Sequence, residues 1–119
     1  MVIEEVEEFK KDIKKLQTKF PTIREDIVVF KKALIVDPRK LSGVIPISYR
    51  EVKMKPEVEG YKAKKFRCKS LKGKGCLSGL RVIYGFWPTL DKITLLEIYR
   101  EEKKKKDCDL KRLKYYFGK

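Results

Sequence analysis

The sequence predicts an α+β domain. An N-terminal helical hairpin packs on a small twisted antiparallel sheet, and a short C-terminal helix closes the chain. Three observations predict it. Apolar residues recur at spacings of three and four through the first 37 residues. From Tyr61 to Arg100 the pattern becomes short β-branched and aromatic runs broken by Gly, Pro and Asp. After the charged run Glu101 to Lys106, helical spacing returns in DLKRLKYYF. At 119 residues the chain makes one domain. It divides into a hairpin over 1–37, a sheet over 61–100 and a helix over 107–117.

In the first segment Val2, Ile3, Val6, Phe9, Ile13, Leu16 and Phe20 make one apolar stripe, which predicts a helix over 2–20. Glu stands early and Lys late on its other face, as the helix dipole favours, and Pro21 ends it. Thr22-x-x-Glu25 is a capping-box pattern, so a second helix starts there. Its stripe is Ile23, Ile27, Phe30 and Leu34, and Asp37-Pro38 stops it. Both stripes read as core, without chemistry. Residues 38–60 are interrupted by Pro38, Gly43, Pro46, Pro56 and Gly60; within them Val44 to Ile47 suits an edge strand, where proline is tolerated.

Three strands follow. Tyr61 to Ser70 alternates, with Tyr61, Ala63, Lys65, Arg67 and Lys69 on one face and Lys62, Lys64, Phe66, Cys68 and Ser70 on the other. Gly79 to Trp87 sends Leu80, Val82, Tyr84 and Phe86 inward and Arg81 outward. Lys92 to Arg100 is apolar on both faces in its middle, as a central or covered strand is. Asp107 or Asp109 caps the last helix, and Leu110, Leu113 and Tyr116 or Phe117 pack back.

The net charge of +14 is unevenly spread. Residues 1–60 hold 13 Lys/Arg against 11 Asp/Glu; residues 61–119 hold 18 against 6. A basic half on a near-neutral half points to a polyanion partner. Cys68, Cys76 and Cys108 are odd in number and lack C-x-x-C spacing, and the chain has no His. No disulfide framework, metal or cofactor is expected; buried thiols in a reducing cytoplasm are. The early acidic N-terminus does not read as a signal peptide, and no run approaches the roughly 18 apolar residues of a membrane span.

Lys65, Arg67 and Lys69 on one face repel one another, and a bound anion relieves that repulsion. In Leu71 to Ser78, Gly73 and Gly75 flank Lys74 beside Lys72, so backbone N–H groups can turn toward phosphate. The Walker spacing is absent. Lys62, Lys64, Lys72, Lys74 and Arg100 complete the candidate phosphate contacts.

Lys65-Phe66-Arg67-x-Lys69, Gly73-Lys74-Gly75, the run Ser78 to Tyr84 (SGLRVIY) and the run Leu95 to Tyr99 (LLEIY) stand in the order found in RelE-type toxins of type II toxin–antitoxin systems. The chain resembles the RelE/HigB-like branch over about residues 60–110. The resemblance implies ribosome-dependent cleavage of mRNA in the A site, inhibition of translation, and an antitoxin that covers or distorts the site. It carries candidate catalytic roles onto Lys65, Arg67, Lys69, Arg81 and Tyr99. Relatives tend to carry Lys where this chain has Glu101, and a second aromatic where it has Gly85-Phe86. The strand that usually precedes the helices is not visible.

RNA brings its own nucleophile, the 2′-OH, so a protein need only align it, remove its proton and stabilise the crowded phosphate. Without His, Lys65 or Lys69 is the candidate base, Arg67 and Arg81 the phosphate clamps, and Tyr99 a stacking or proton-donating group. Glu97 is a candidate partner for Arg81. A non-catalytic RNA- or ribosome-binding module would use the same cations, with Phe66, Tyr84 and Trp87 as stacking aromatics. A ParE-like gyrase-directed toxin would not need the strand cations. An acidic, partly helical antitoxin is the expected protein partner, and no membrane is.

Overall fold

The computed structural model describes residues 1–70, 78–102 and 107–119. Eight elements follow one another: β1 (Val2–Glu5), α1 (Glu7–Gln17), α2 (Ile23–Val36), β2 (Val44–Pro46), β3 (Glu59–Ala63), β4 (Leu80–Trp87), β5 (Lys92–Arg100) and α3 (Leu110–Phe117). The strands form one sheet in the order β1-β5-β4-β3-β2. β1 runs parallel to β5, with Val2 opposite Lys92; the other neighbours are antiparallel.

β1 corrects the helix expected over 2–20. Val2, Ile3 and Val6 fit a helical stripe as well as a strand, and the fold decides by seating residues 2–5 against β5. Ile3 packs on the core, Glu4 accepts from the Thr94 hydroxyl at 3.0 Å, and Glu5 pairs with Lys31 of α2. α1 then begins without a side-chain cap, aided by Glu7 and Glu8 in its first turn and Lys14 and Lys15 in its last.

Two clusters flank the sheet. α1 and α2 cover one face, where Phe9, Ile13, Ile27, Phe30 and Leu34 meet Leu80, Val82, Tyr84, Phe86 and Ile93. α3 and residues 47–58 cover the other, where Leu113, Phe117, Val52 and Val58 meet Ile83, Leu96 and Tyr99. β5 is therefore buried from Ile93 to Tyr99 on both faces, as its sequence predicts. The inward set of β4 is also as expected. Gly85 lies beneath α3: a Cβ there would come within 2.5 Å of the Phe117 ring.

The two sides of the sheet end differently. β2 is an edge strand carrying Pro46, as expected. β1 covers β5 only as far as Leu95. Beyond it, Asp12 accepts from the Ile98 N–H at 3.2 Å and Arg112 donates to the Leu96 carbonyl at 3.0 Å. These two side chains bind each other at 2.7 Å, both about one-sixth exposed, and so plug the strand edge with an ion pair.

The capping box at Thr22 does not form. Thr22 precedes α2, but its hydroxyl donates to Asp26 at 2.9 Å and meets Ser70 Oγ at 2.7 Å, so it ties α2 to residues 68–70. Asp109 caps α3 as anticipated, accepting from the Lys111 and Arg112 N–H groups. Among the described residues no helix is long and apolar enough to cross a membrane.

Candidate nucleic-acid interface

The strand expected over 61–70 ends at Ala63. The register gives the reason. Ala63 lies opposite Val82, and β4 starts at Leu80, so only two further positions could pair. Arg81 takes the place of continued pairing by donating from Nη1 to the Lys64 carbonyl at 2.8 Å. The chain then peels off the sheet and runs against α2. The Lys69 N–H donates to Asp26 and the Ser70 N–H to Thr22, so the buried Asp26 carboxylate and its threonine replace a strand partner.

Peeling away changes the phase of alternation. Tyr61 and Ala63 are buried beneath α1 and α2, and so are Phe66 and Cys68. Lys65, Arg67 and Lys69 are exposed together, as expected, but not on the face of Tyr61 and Ala63. They rim a groove of about 570 Å³ between α2 and residues 63–69, floored by Phe30, Ala33 and Phe66, with Val29 exposed at its edge. The stem of Lys65 lies across Gly43, and Lys69 reaches Glu25 at 3.8 Å.

Arg81 and Tyr99 are cross-strand partners and belong to the other side of the sheet. Lys62, opposite Ile83, shares that side. Its ammonium lies 5.9 Å from the Tyr99 ring centre and 3.6 Å from Asp107. Tyr49 donates to the same carboxylate. Burial pushes the Tyr99 hydroxyl well above the ordinary phenol value, and the side chain is 5 % exposed. Lys62 is also buried. Arg100 turns to the helical side and stacks on Phe20 at 5.4 Å. Lys64 is exposed beside Arg81. The five residues picked as catalytic thus fall into two groups, Lys65/Arg67/Lys69 on the α2 groove and Arg81/Tyr99 on the α3 side, joined through Lys64. Lys72 and Lys74, with the whole Gly-Lys-Gly loop and Cys76, lie outside the described residues.

Arg81 meets a carboxylate, and it is Glu101's. Nη2 lies 2.8 Å and Nε 3.0 Å from the same Oε2. Glu97, the expected partner, sits two pairs further along and accepts from the Asp109 N–H at 2.8 Å, holding the start of α3. Phe66 and Tyr84 are buried and offer no surface to a base; Trp87 is half-buried, donating to Thr94 and stacking edge-on against Phe117. Burial raises the thiol pKa of both Cys68 and Cys108, so neither is a reactive nucleophile at neutral pH. The sequence reading missed the Tyr49–Asp107–Lys62 cluster, since Tyr49 stands in a stretch with no periodicity. The Arg81–Glu101 pair had one signal, an acidic residue just past the end of a strand in an otherwise basic half.

No family model matches the chain, and no curated protein does. Among solved structures, a chain of the archaeal RelE–RelB complex from Pyrococcus horikoshii OT3 superposes with a TM-score of 0.57 at 14% identity. The match covers 86% of this chain and 96% of that one. The fold defined by the sheet and its flanking helices is RelE-like.

Proposed function

We propose that the protein is the toxin of a type II toxin–antitoxin system and cleaves mRNA on the ribosome, with the RNA 2′-OH as nucleophile. The observation that carries this reading is Arg81, oriented by the Lys64 carbonyl beside exposed Lys64, with Lys65 and Arg67 exposed on the segment that follows, on a RelE-like sheet. A guanidinium fixed at one edge presents its other edge to a phosphate, which it can bind in a bidentate way. Lysines of the same segment hold neighbouring phosphates and supply the base. No histidine pair is present, so alignment by the ribosome carries much of the rate. The protein partner is an acidic antitoxin. The α2 groove suits it, having an apolar floor, a cationic rim and exposed Val28, Val29, Ile35 and Val36 along the helix.

The test is a defined stalled ribosome with an open A site, run beside free mRNA, with fragment ends mapped. Expected is a single cut within the A-site codon, a 2′,3′-cyclic phosphate product, and no cut when the 2′-OH is replaced by hydrogen. Arg81→Ala should abolish cleavage while retaining most RNA binding. A protein that cuts neither substrate is not a nuclease. The burial of Tyr99 and the Arg81–Glu101 pair favour a second reading, a non-catalytic RNA- or ribosome-binding module, which predicts salt-sensitive binding without fragments.

A further inference from the structure

Arg81 is four-fifths buried, and each of its nitrogens is already engaged. Nη1 donates to the Lys64 carbonyl at 2.8 Å and approaches that of Leu80 at 3.4 Å. These are main-chain groups and do not leave. Nε and Nη2 converge on one oxygen of Glu101. This is the edge of a guanidinium that takes two oxygens of a phosphate. The carboxylate is of another kind from the carbonyls: its side chain is 38% exposed and stands just past the end of β5. The Glu101 main chain is separately anchored, its N–H donating to the Gly79 carbonyl at 2.8 Å. Rotation about side-chain bonds alone therefore uncovers the guanidinium, with no change in the sheet.

We infer that Glu101 occupies the edge of Arg81 that a phosphodiester takes, so the chain closes its own anion site with a carboxylate and the ligand opens it by exchange. Water reaches the Glu101 side of the pair and screens it, and a phosphate brings its charge to the same two donors, so exchange is feasible. The site selects ligands that bring several phosphates: a lone anion must displace Glu101 for one contact, whereas a polyanion also gains Lys64, Lys65 and Arg67. The identification of that polyanion as RNA rests on the function proposed above; the closed anion site does not.

The experiment compares the wild type with Glu101→Gln, Glu102→Gln, Arg81→Gln and the Arg81→Gln/Glu101→Gln double variant, using two probes. One is a labelled 12-nucleotide single-stranded RNA read by anisotropy; the other is inorganic pyrophosphate read by thermal shift. Glu102 is an exposed neighbour, so its Gln variant makes the same change in net charge without touching Arg81. Expected is a gain in RNA affinity of about two- to fivefold for Glu101→Gln over Glu102→Gln, vanishing in the Arg81→Gln background. Equal effects of the two Gln variants, or a gain that survives loss of Arg81, overturn the inference. So does weaker binding in Glu101→Gln. A pyrophosphate shift that grows in Glu101→Gln and needs Arg81, with no RNA binding, keeps the anion site and sinks the RNA reading. No response to either probe in any variant overturns both.

Discussion

Asp107 gathers three donors: the Tyr49 hydroxyl, the Cys108 N–H at 2.8 Å and the Lys62 ammonium at 3.6 Å. Burial pushes its pKa up, but these donors outweigh burial and hold the carboxyl below its ordinary value. Glu59 is lowered in the same sense by Arg39, with Tyr61 adding a second donor. A depressed carboxylate stabilises the fold above its unfolded pKa of about 4, and that contribution is lost as pH falls through the lower folded value. On the alkaline side, burial raises Tyr84 and Tyr99, so their contribution is complete below about pH 10 and is lost above it. Thermal denaturation across pH should therefore show a plateau with an acid limb below pH ~4 and an alkaline limb above pH ~10. Asp107→Asn should flatten the acid limb and cost about 1 kcal/mol, a value discounted because the carboxylate is half-exposed. An acid limb unchanged in that variant would remove Asp107 from the account. At this scale the sequence was partly legible. Exposure of Lys65, Arg67 and Lys69 followed from alternation with Phe66 and Cys68. The partner of Arg81 did not, because Glu97 and Glu101 each lie two residues from its cross-strand neighbour Tyr99, and what separates them is the engagement of Glu97 by the Asp109 N–H.

Elements explain the larger misreadings. β4, β5 and α3 were readable because each carries its own signal: inward alternation, apolar burial on two faces, and an Asp cap before a helical period. β1 was not, since four residues do not distinguish a strand from the first turn of a helix, and what settles them is β5, far away in the chain. The overlong third strand failed for a related reason. Residues 64–70 alternate like a strand but find their hydrogen bonds in Thr22 and Asp26 of the α2 start. Two predictions belong here. Gly85→Ala should force the Phe117 ring off the sheet and cost about 1–3 kcal/mol in denaturant unfolding; a neutral result would mean that α3 does not rest on Gly85. Val29→Glu, on an exposed face of α2, should leave the melting temperature within about 2 °C, since it adds only surface charge. It should weaken binding of an acidic antitoxin at least tenfold; unchanged affinity would place that partner elsewhere.

Across the whole molecule, the Asp12–Arg112 pair joins α1 to α3 over the outer edge of β5. Arg112→Ala would leave Asp12 without its guanidinium partner and uncover the Leu96 carbonyl. The expected loss is about 2–4 kcal/mol, with self-association at high protein concentration through the freed strand edge. A monomeric variant of wild-type stability in sedimentation and denaturant titration would show that the plug is dispensable. The pairing of β1 with β5 has a consequence in time. Val2 finds its partner at Lys92, a separation of 90 residues, and the pair is parallel. A nascent chain therefore leaves β1 waiting until β5 is synthesised, and the sheet can form at its β2 edge before β1 joins it at the other. Residues 1–60 are close to neutral, and the strongly basic residues 61–119 follow them. Full cationic character and a completed sheet arrive together, once β5 and the residues beyond it are made, so a product truncated before β5 has neither.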